Sequence, residues 1–283
     1  MNENIDVSII VPCYNQAQYL EEALQSVLQQ SIENWECVIV NDGSNDNTEE
    51  VANKWLLRDS RFKYIKSENG GLSAARNSGI ELAKGNFILP LDADDIIGET
   101  YLELALKQFE LNTNLKIVYC KAEKFGIENG EWKLNNFTLY NLAHENMIFC
   151  SALFKRKDWK KVKGYDINMI YGWEDWEFWI AILKNGGEVK CIESVNFYYR
   201  IKTTSMTKEL NEEKLNYLKK YLSIKHADFF VKQLGSFFDI NNKITKITLH
   251  NEVLVKLKSK KFLLNQLCYQ IFGFVIFKNQ KFR

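Results

Sequence analysis

The stretch Phe87-Ile88-Leu89-Pro90-Leu91-Asp92-Ala93-Asp94-Asp95 runs an apolar segment into three carboxylates. If the backbone is still extended at 92–94, Asp92 and Asp94 point the same way, because side chains alternate along a strand. Ala93 keeps the surface between them low. Two hard oxygen ligands at a strand end suit a divalent cation that also holds phosphate oxygens. Aspartates are equally common in turns and helix caps, so this stretch alone leaves both readings open. The residues before it separate them.

Val7-Ser8-Ile9-Ile10-Val11 reads as a buried parallel strand. Leu20, Ala23, Leu24, Val27 and Leu28 then recur on one helix face. Cys37-Val38-Ile39-Val40 is a second strand, and Thr48-Glu49-Glu50 opens a helix with acids in its first turn. Phe62 to Ile65 is a third strand, and Ser73 to Ala83 a third helix with Gly85 as its C′ glycine. With Phe87 to Leu89, these units predict an α/β fold, a mostly parallel sheet wound with helices. In such sheets ligands bind beyond the carboxyl ends of the strands. Tyr14 and Asn15, Asp42 and Ser44, and Asp92 and Asp94 therefore converge. The G-x-G-x-x-G fingerprint is missing after the first strand, which argues against a nicotinamide or flavin cofactor.

Composition sets further bounds. The chain has 283 residues, 46% hydrophobic, with two prolines, as a folded globular protein does. Six cysteines show no C-x-x-C spacing and histidines number three, which predicts reduced thiols in a cytoplasm and no zinc site. MNENIDVSII lacks a basic n-region and an apolar core, so no signal peptide is predicted. A net charge of +1 hides an asymmetry: residues 1–207 carry 22 basic and 30 acidic side chains, residues 208–283 carry 15 and 6. Such opposite parts suggest two jobs.

Val-Pro-Cys-Tyr-Asn at 11–15, Asn-Asp-Gly-Ser at 41–44, Gly-Gly-Leu-Ser-Ala-Ala-Arg-Asn at 70–77, Leu-Asp-Ala-Asp-Asp at 91–95 and Glu-Asp at 174–175 resemble family 2 glycosyltransferases in order and spacing. The likeness runs from residue 5 to about 205. It implies a GT-A fold and inverting transfer of a sugar from a nucleotide-diphospho-sugar, usually a UDP-sugar, with Mg²⁺ or Mn²⁺. It also implies a GT-A catalytic domain over 1–207, with a nucleotide-sugar half at 1–98 and an acceptor half at 99–207. A basic, mostly helical extension follows over 208–283.

On this resemblance the donor site takes Pro12, Tyr14, Asn15, Asp42, Gly43, Ser44, Gly71, Arg76, Asp92, Ala93, Asp94, Arg200 and Lys202. Tyr14 stacks on the base and Asp42 accepts the uracil imide N–H, partners that suit what uracil presents. Arg76 lies near the diphosphate. Asp92 meets the ribose, Asp94 coordinates the metal with Asp92 as its companion, and Asp95 caps a helix beginning near Glu99. Many members read Arg-x-His-x-x-Ser, with the histidine completing the metal site, where this chain has Arg200-Ile201-Lys202. The departure leaves the third protein ligand open, with either Lys202 on the diphosphate as a point charge or the metal held by Asp94, phosphates and water alone.

Within Gly172-Trp173-Glu174-Asp175-Trp176-Glu177-Phe178-Trp179 a helix begins, because Trp176, Trp179, Ile180 and Leu183 follow a helical period. The two tryptophans are expected in the core. The resemblance makes Asp175 the base that takes the proton from the attacking hydroxyl, as inverting chemistry requires. Glu174 holds an acceptor hydroxyl or supports Asp175, and Trp173, just outside the helix, either stacks on an acceptor sugar or packs against the protein. A hairpin is expected at Asn129-Gly130.

At the end, Lys256, Lys258, Lys260 and Lys261 precede Phe262 to Phe277, then Lys278, Lys281 and Arg283, with no acid after Glu252. A spanning helix needs about 20 apolar residues, and this run is shorter and interrupted. It suits an interfacial helix on anionic lipid; packing on the catalytic domain or in a homodimer is the alternative. The expected setting is the cytoplasm, peripheral on the inner membrane face, with a glycan or lipid-linked glycan as acceptor and no nucleic acid. A nucleotidyltransferase is a rival, but it carries a glycine-rich basic loop where this chain has Pro12-Cys13-Tyr14-Asn15. A non-catalytic nucleotide-sugar scaffold is a second rival, and it has no need of both Asp94 and Asp175.

Overall fold

The first half alternates strand and helix: β1 (Val7–Cys13), α1 (Ala17–Leu28), β2 (Trp35–Asp42), α2 (Thr48–Arg58), β3 (Phe62–Ser67), α3 (Leu72–Leu82) and β4 (Phe87–Pro90). The structure is a computed structural model that describes residues 5–204 and 206–272. β1 lies between β2 and β4, β3 pairs on the far side of β2, and all four are parallel. Every residue of β1 and β2 is buried. Successive side chains face opposite ways, so complete burial requires cover on both faces, and the centres of both strands, Ile9 to Val11 and Cys37 to Val40, read as apolar runs for that reason. Gly85 differs from expectation. The chain leaves α3 extended at Ala83, with no left-handed cap. A Cβ on Gly85 would lie 2.6 Å from the Ser8 amide nitrogen, so close approach to β1 requires the glycine.

The second half comprises β5 (Ile96–Ile97), α4 (Tyr101–Leu111), β6 (Leu115–Gly126), β7 (Gly130–Trp132), α5 (Leu139–Leu142), β8 (Leu153–Lys155), α6 (Arg156–Val162), α7 (Glu174–Leu183) and β9 (Glu188–Ile201). The sheet order is β3-β2-β1-β4-β8-β6-β9-β5. β8 is antiparallel to both neighbours, whereas β6 and β9 are parallel. The hairpin expected at Asn129-Gly130 joins β6 to β7. Trp176 and Trp179 are core residues, their indole N–H groups donating to the Leu142 carbonyl at 2.8 Å and the Ile148 carbonyl at 2.9 Å. Burying an indole requires such a partner for its N–H.

Among the described residues four α-helices follow: α8 (Glu212–Lys225), α9 (Ala227–Leu234), α10 (Phe237–Leu257) and α11 (Lys260–Phe272). The chain divides into two compact units, Met1–Phe229 and Phe230–Arg283. The division therefore falls within α9, later than the expected 208. The reason is burial: Leu218, Leu222, His226 and Phe229 are all buried. Lys225 and His226 also reach Glu177 of α7, at 2.8 Å and 2.7 Å.

In the second unit Ser236 and Asp239 cap α10 reciprocally. The Ser236 N–H donates to Asp239 Oδ2 at 2.9 Å, and the Asp239 N–H donates to Ser236 Oγ at 3.2 Å. α10 and α11 pack together, yet Phe237, Phe238, Ile244, Ile247, Leu267 and Ile271 stay exposed. Among the described residues no helix is long and apolar enough to cross a membrane. Lys278, Lys281 and Arg283, the expected basic end of a membrane segment, lie outside the described residues.

Candidate active site

A cleft of about 890 Å³ opens beyond the carboxyl ends of β1, β2 and β4. Of the expected donor residues, Pro12, Tyr14, Asn15, Asp42, Gly71, Asp92, Ala93, Asp94 and Lys202 line it, together with Trp173, Glu174 and Asp175. Gly43, Ser44, Arg76 and Arg200 do not. Each of these four works behind the wall instead.

The loop after β1 is stitched to the loop after β2. Asn15, left-handed at φ 53°, donates its N–H to Ser44 Oγ at 3.0 Å and accepts the Asn45 N–H on Oδ1 at 2.8 Å. Ser44 Oγ donates to the Cys13 carbonyl at 3.2 Å. Gly43 has φ 75°, and a Cβ there would sit 2.8 Å from the Asn69 amide nitrogen. This bracing leaves Tyr14 projecting, 47% exposed. The buried Asp42 carboxylate accepts the Gly70 and Gly71 N–H groups at 2.8 Å and 3.0 Å. A carboxylate offers about four acceptor positions, so Asp42 keeps room for a ligand N–H.

Asp92 and Asp94 are not on an extended strand. β4 stops at Pro90, and the Asp95 N–H donates to the Asp92 carbonyl at 3.0 Å, closing a turn. A turn does not alternate its side chains, and the two carboxylates take different partners. Asp92 accepts from Arg76 Nη2 at 2.7 Å, whereas Asp94 meets Lys202 Nζ at 2.5 Å. Asp95 is not a helix cap either. It is 1% exposed and its Oδ1 accepts the Arg200 N–H at 2.9 Å, while α4 begins after Thr100 with no side-chain cap.

Arg200, expected at the diphosphate, is an anchor. Its Nε donates to the Asp94 carbonyl at 2.8 Å, Nη2 pairs with Glu22 at 2.7 Å, and the guanidinium lies over the Phe125 ring. It fixes the acidic turn to β9. Arg76 is fully buried and joins Asp92 to Glu174, whose Oε1 accepts from Nη1 at 2.6 Å. Each carboxylate takes one terminal nitrogen of the guanidinium in a charge-assisted bond, while Nε, also buried, has no partner among the described residues. Asn77, on the same helix, is also structural, bonded to Trp159 and Tyr165.

Asp175 lies at the start of α7, after Trp173 in a left-handed conformation at φ 62°. It keeps partial access to the cleft while dense protein surrounds it. Burial, and then the Glu174 charge, push its carboxyl up to about 7, against the opposing pull of Arg76 and the Trp176 N–H. Its Oδ2 accepts from Asn146 Nδ2 at 3.0 Å. Trp173 packs edge-on against Trp176, with ring centroids 5.0 Å apart.

Asn146, Gln16 and Cys150 also line the cleft. They sit in irregular or loop segments, where neither period nor motif marks them. Among the described residues, Asp92, Asp95 and Cys150 bring one potential metal-ligand atom each within 4.8 Å of one another. Burial, then Asp92, push the Cys150 thiol well up, and a protonated thiol is a poor ligand for a hard cation. Carboxylate oxygens suit a hard divalent cation better than such a thiol does. Burial and the Asp92 charge push the Asp94 carboxyl up despite Lys202, as happens where negative charge is in excess.

A wound α/β sheet with its polar residues gathered beyond the strand ends is the architecture of the GT-A class. The family model described as glycosyl transferase family 2 matches residues 8–171, and the chain belongs to that family. A second model, the N-terminal domain of galactosyltransferase, matches residues 134–209. The minor teichoic acid biosynthesis protein GgaB of Bacillus subtilis (strain 168) is 32% identical over 71% of this chain and 24% of its own length. EpsH of the same organism is 34% identical over 69% of this chain and 55% of its own. The uncharacterized glycosyltransferase MJ1057 of Methanocaldococcus jannaschii is 31% identical, over 69% and 70%. The chain thus spans between about a quarter and about half of the length of the first curated relatives it matches. The crystal structure of S. aureus TarS 1-349 in complex with UDP-GlcNAc superposes with a TM-score of 0.68, covering 81% of this chain and 71% of that one at 19% identity. At that identity the likeness concerns the fold.

Proposed function

We propose that this chain is an inverting glycosyltransferase that moves a sugar from a UDP-sugar to a hydroxyl of a glycan acceptor in surface polysaccharide assembly. The observation that carries the reading is Asp175, a carboxylate in the shared cleft whose proton is held up to about pH 7. A base poised near the working pH is what acid–base catalysis favours. Tyr14 and Asp42 take the base of the donor, and Asp92 its ribose. Asp175 removes the proton from the acceptor hydroxyl as that oxygen attacks the anomeric carbon. The bond from that carbon to the diphosphate oxygen breaks, and its electron pair leaves with the UDP. Attack from the side opposite the leaving group inverts the centre. Glu174, fixed by Arg76, and Trp173 orient the acceptor.

Mg²⁺ or Mn²⁺ would take its protein oxygens from Asp94 and Asp92. When bound, such an ion neutralises charge on the departing diphosphate. A UDP-sugar is favoured by the UDP-GlcNAc complex of the TarS fold neighbour, and a role in building a surface polymer by the teichoic acid biosynthesis named for GgaB. The basic, apolar second unit is assigned to an anionic membrane surface, on the inner face where a lipid-linked acceptor is available, with a homodimer as the competing use.

The test is Asp175→Asn with a panel of UDP-sugars. Transfer should fall by at least about 100-fold, the size of a general-base contribution, with UDP affinity within twofold of wild type. Transfer at the wild-type rate would remove Asp175 from the mechanism.

A further inference from the structure

The cleft has an unusual charge balance. Among its described lining residues, Asp42, Asp92, Asp94, Glu174, Asp175 and Glu209 are acidic, and Lys202 is the one cationic side chain. Arg76 and Arg200 point their charges into the wall, each engaged by carboxylates. A diphosphate entering this cleft therefore meets a strongly repulsive field unless a cation lies on its path. Lys202 is held at that place. Its Nζ is 2.5 Å from Asp94 Oδ2 and donates to Gln16 Oε1 at 3.2 Å. Gln16 follows the Tyr14-Asn15 loop, so the ammonium lies between the base-side loop and the acidic turn. An ammonium has three N–H donors, and these two contacts leave one for a ligand.

We infer that Lys202 is a resident counter-charge for the diphosphate, so that nucleotide binding does not depend on a divalent ion. This rests on the UDP-sugar reading above. With a donor bound, the ammonium bridges Asp94 and a diphosphate oxygen. A divalent ion then competes with Lys202 for the Asp94 carboxylate, so its effect on nucleotide affinity is small. Lysine serves here as a compact point charge on a flexible stem, which can shift from carboxylate to phosphate without a change in the backbone.

The experiment is calorimetric titration of the full chain with UDP and with uridine, each in EDTA and in Mn²⁺. Wild-type affinity for UDP should differ by less than about threefold between the two conditions. Lys202→Met should weaken UDP in EDTA by about 10- to 100-fold, the worth of one charge-assisted hydrogen bond. It should leave uridine unchanged, because uridine has no phosphate. Lys202→His, which offers a metal ligand in place of a cation, should bind UDP tightly only with Mn²⁺. If wild type loses more than about tenfold in EDTA, the affinity lost with one strong charged contact, Lys202 does not replace the ion and the inference fails while the UDP reading stands. If neither UDP nor uridine binds in either condition, the donor reading fails and takes this inference with it.

Discussion

Asp175 makes the residue scale testable by pH alone. Its carboxyl titrates near 7 because burial and Glu174 both disfavour its charge. A base must be ionised to act, so kcat/KM should rise by about tenfold per pH unit below 7 and level above it. A profile already flat at pH 5 would contradict the assignment. Arg76 acts through its neighbours. It is fully buried and neutralises Asp92 and Glu174, and its charge also draws the Asp175 carboxyl down. Arg76→Met should destabilise the fold by about 3–5 kcal/mol, since one partner of a buried ion pair is left uncompensated. Urea unfolding measures that, and in the folded fraction the midpoint of the rate profile should move to higher pH. A merely structural arginine would leave the midpoint in place. The sequence motifs located Asp42, Asp92, Asp94 and Asp175 because each lies at the end of a strand or the start of a helix. Arg76 and Arg200 stand in the wall, Arg200 as the loop-anchoring ion pair that is the alternative to a diphosphate contact, because a guanidinium reads alike in sequence whether it faces a phosphate or a carboxylate. Asn146 left no trace, since it holds Asp175 from a segment without period.

α7 ties the site to the rest of its unit. Its first residues are Glu174 and Asp175, and one turn on Glu177 meets Lys225 and His226 of the α8 end. Lys225 also pairs with Asp166 at 2.6 Å. Burial raises the Asp166 carboxyl, but Lys225, the Asn168 N–H and the Tyr221 hydroxyl outweigh it and hold it at about 2. A carboxylate depressed in the folded state stabilises it above its unfolded value of about 4, and that stabilisation is lost as pH falls through 2. Lys225→Met should therefore lower stability near neutral pH by about 1–3 kcal/mol, the cost of leaving a buried acceptor short of a donor. It should also move acid unfolding to higher pH; an unchanged acid midpoint would remove Lys225 from this role. β1 and β2 were legible because both are buried on both faces and carry apolar runs, Ile9 to Val11 and Cys37 to Val40, at their centres. The acidic turn was not, because a reversal after Pro90 and a continuing strand share the same residues. The membership of α8 was hidden for a related reason: besides buried Leu218 and Leu222, its attachment uses Glu177, a residue that in sequence belongs to the first turn of another helix.

At the scale of the molecule, charge divides as the compact units do. Residues 230–283 carry 10 basic and 2 acidic side chains, while residues 1–229 carry 27 and 34. The second unit also leaves large apolar side chains of α10 and α11 exposed, which a helix in plain water does not favour. Cationic and apolar groups on helices that are not apolar enough to span fit a surface that is anionic outside and apolar just below. Full-length chain should therefore sediment with vesicles containing phosphatidylglycerol and not with neutral phosphatidylcholine vesicles. Raising the salt should weaken the binding, because exposed charges are screened beyond about 8 Å at physiological ionic strength. Reversing Lys258, Lys260 and Lys261 to Glu should lower vesicle affinity by at least about 100-fold, since each basic residue near such a surface is worth about 1 kcal/mol. Removal of residues 230–283 should abolish the binding and leave UDP binding intact, because the cleft is built wholly from the first unit. Light scattering distinguishes the competing use. A stable dimer that ignores anionic vesicles would assign the apolar helices to a second copy of the chain and overturn the membrane assignment.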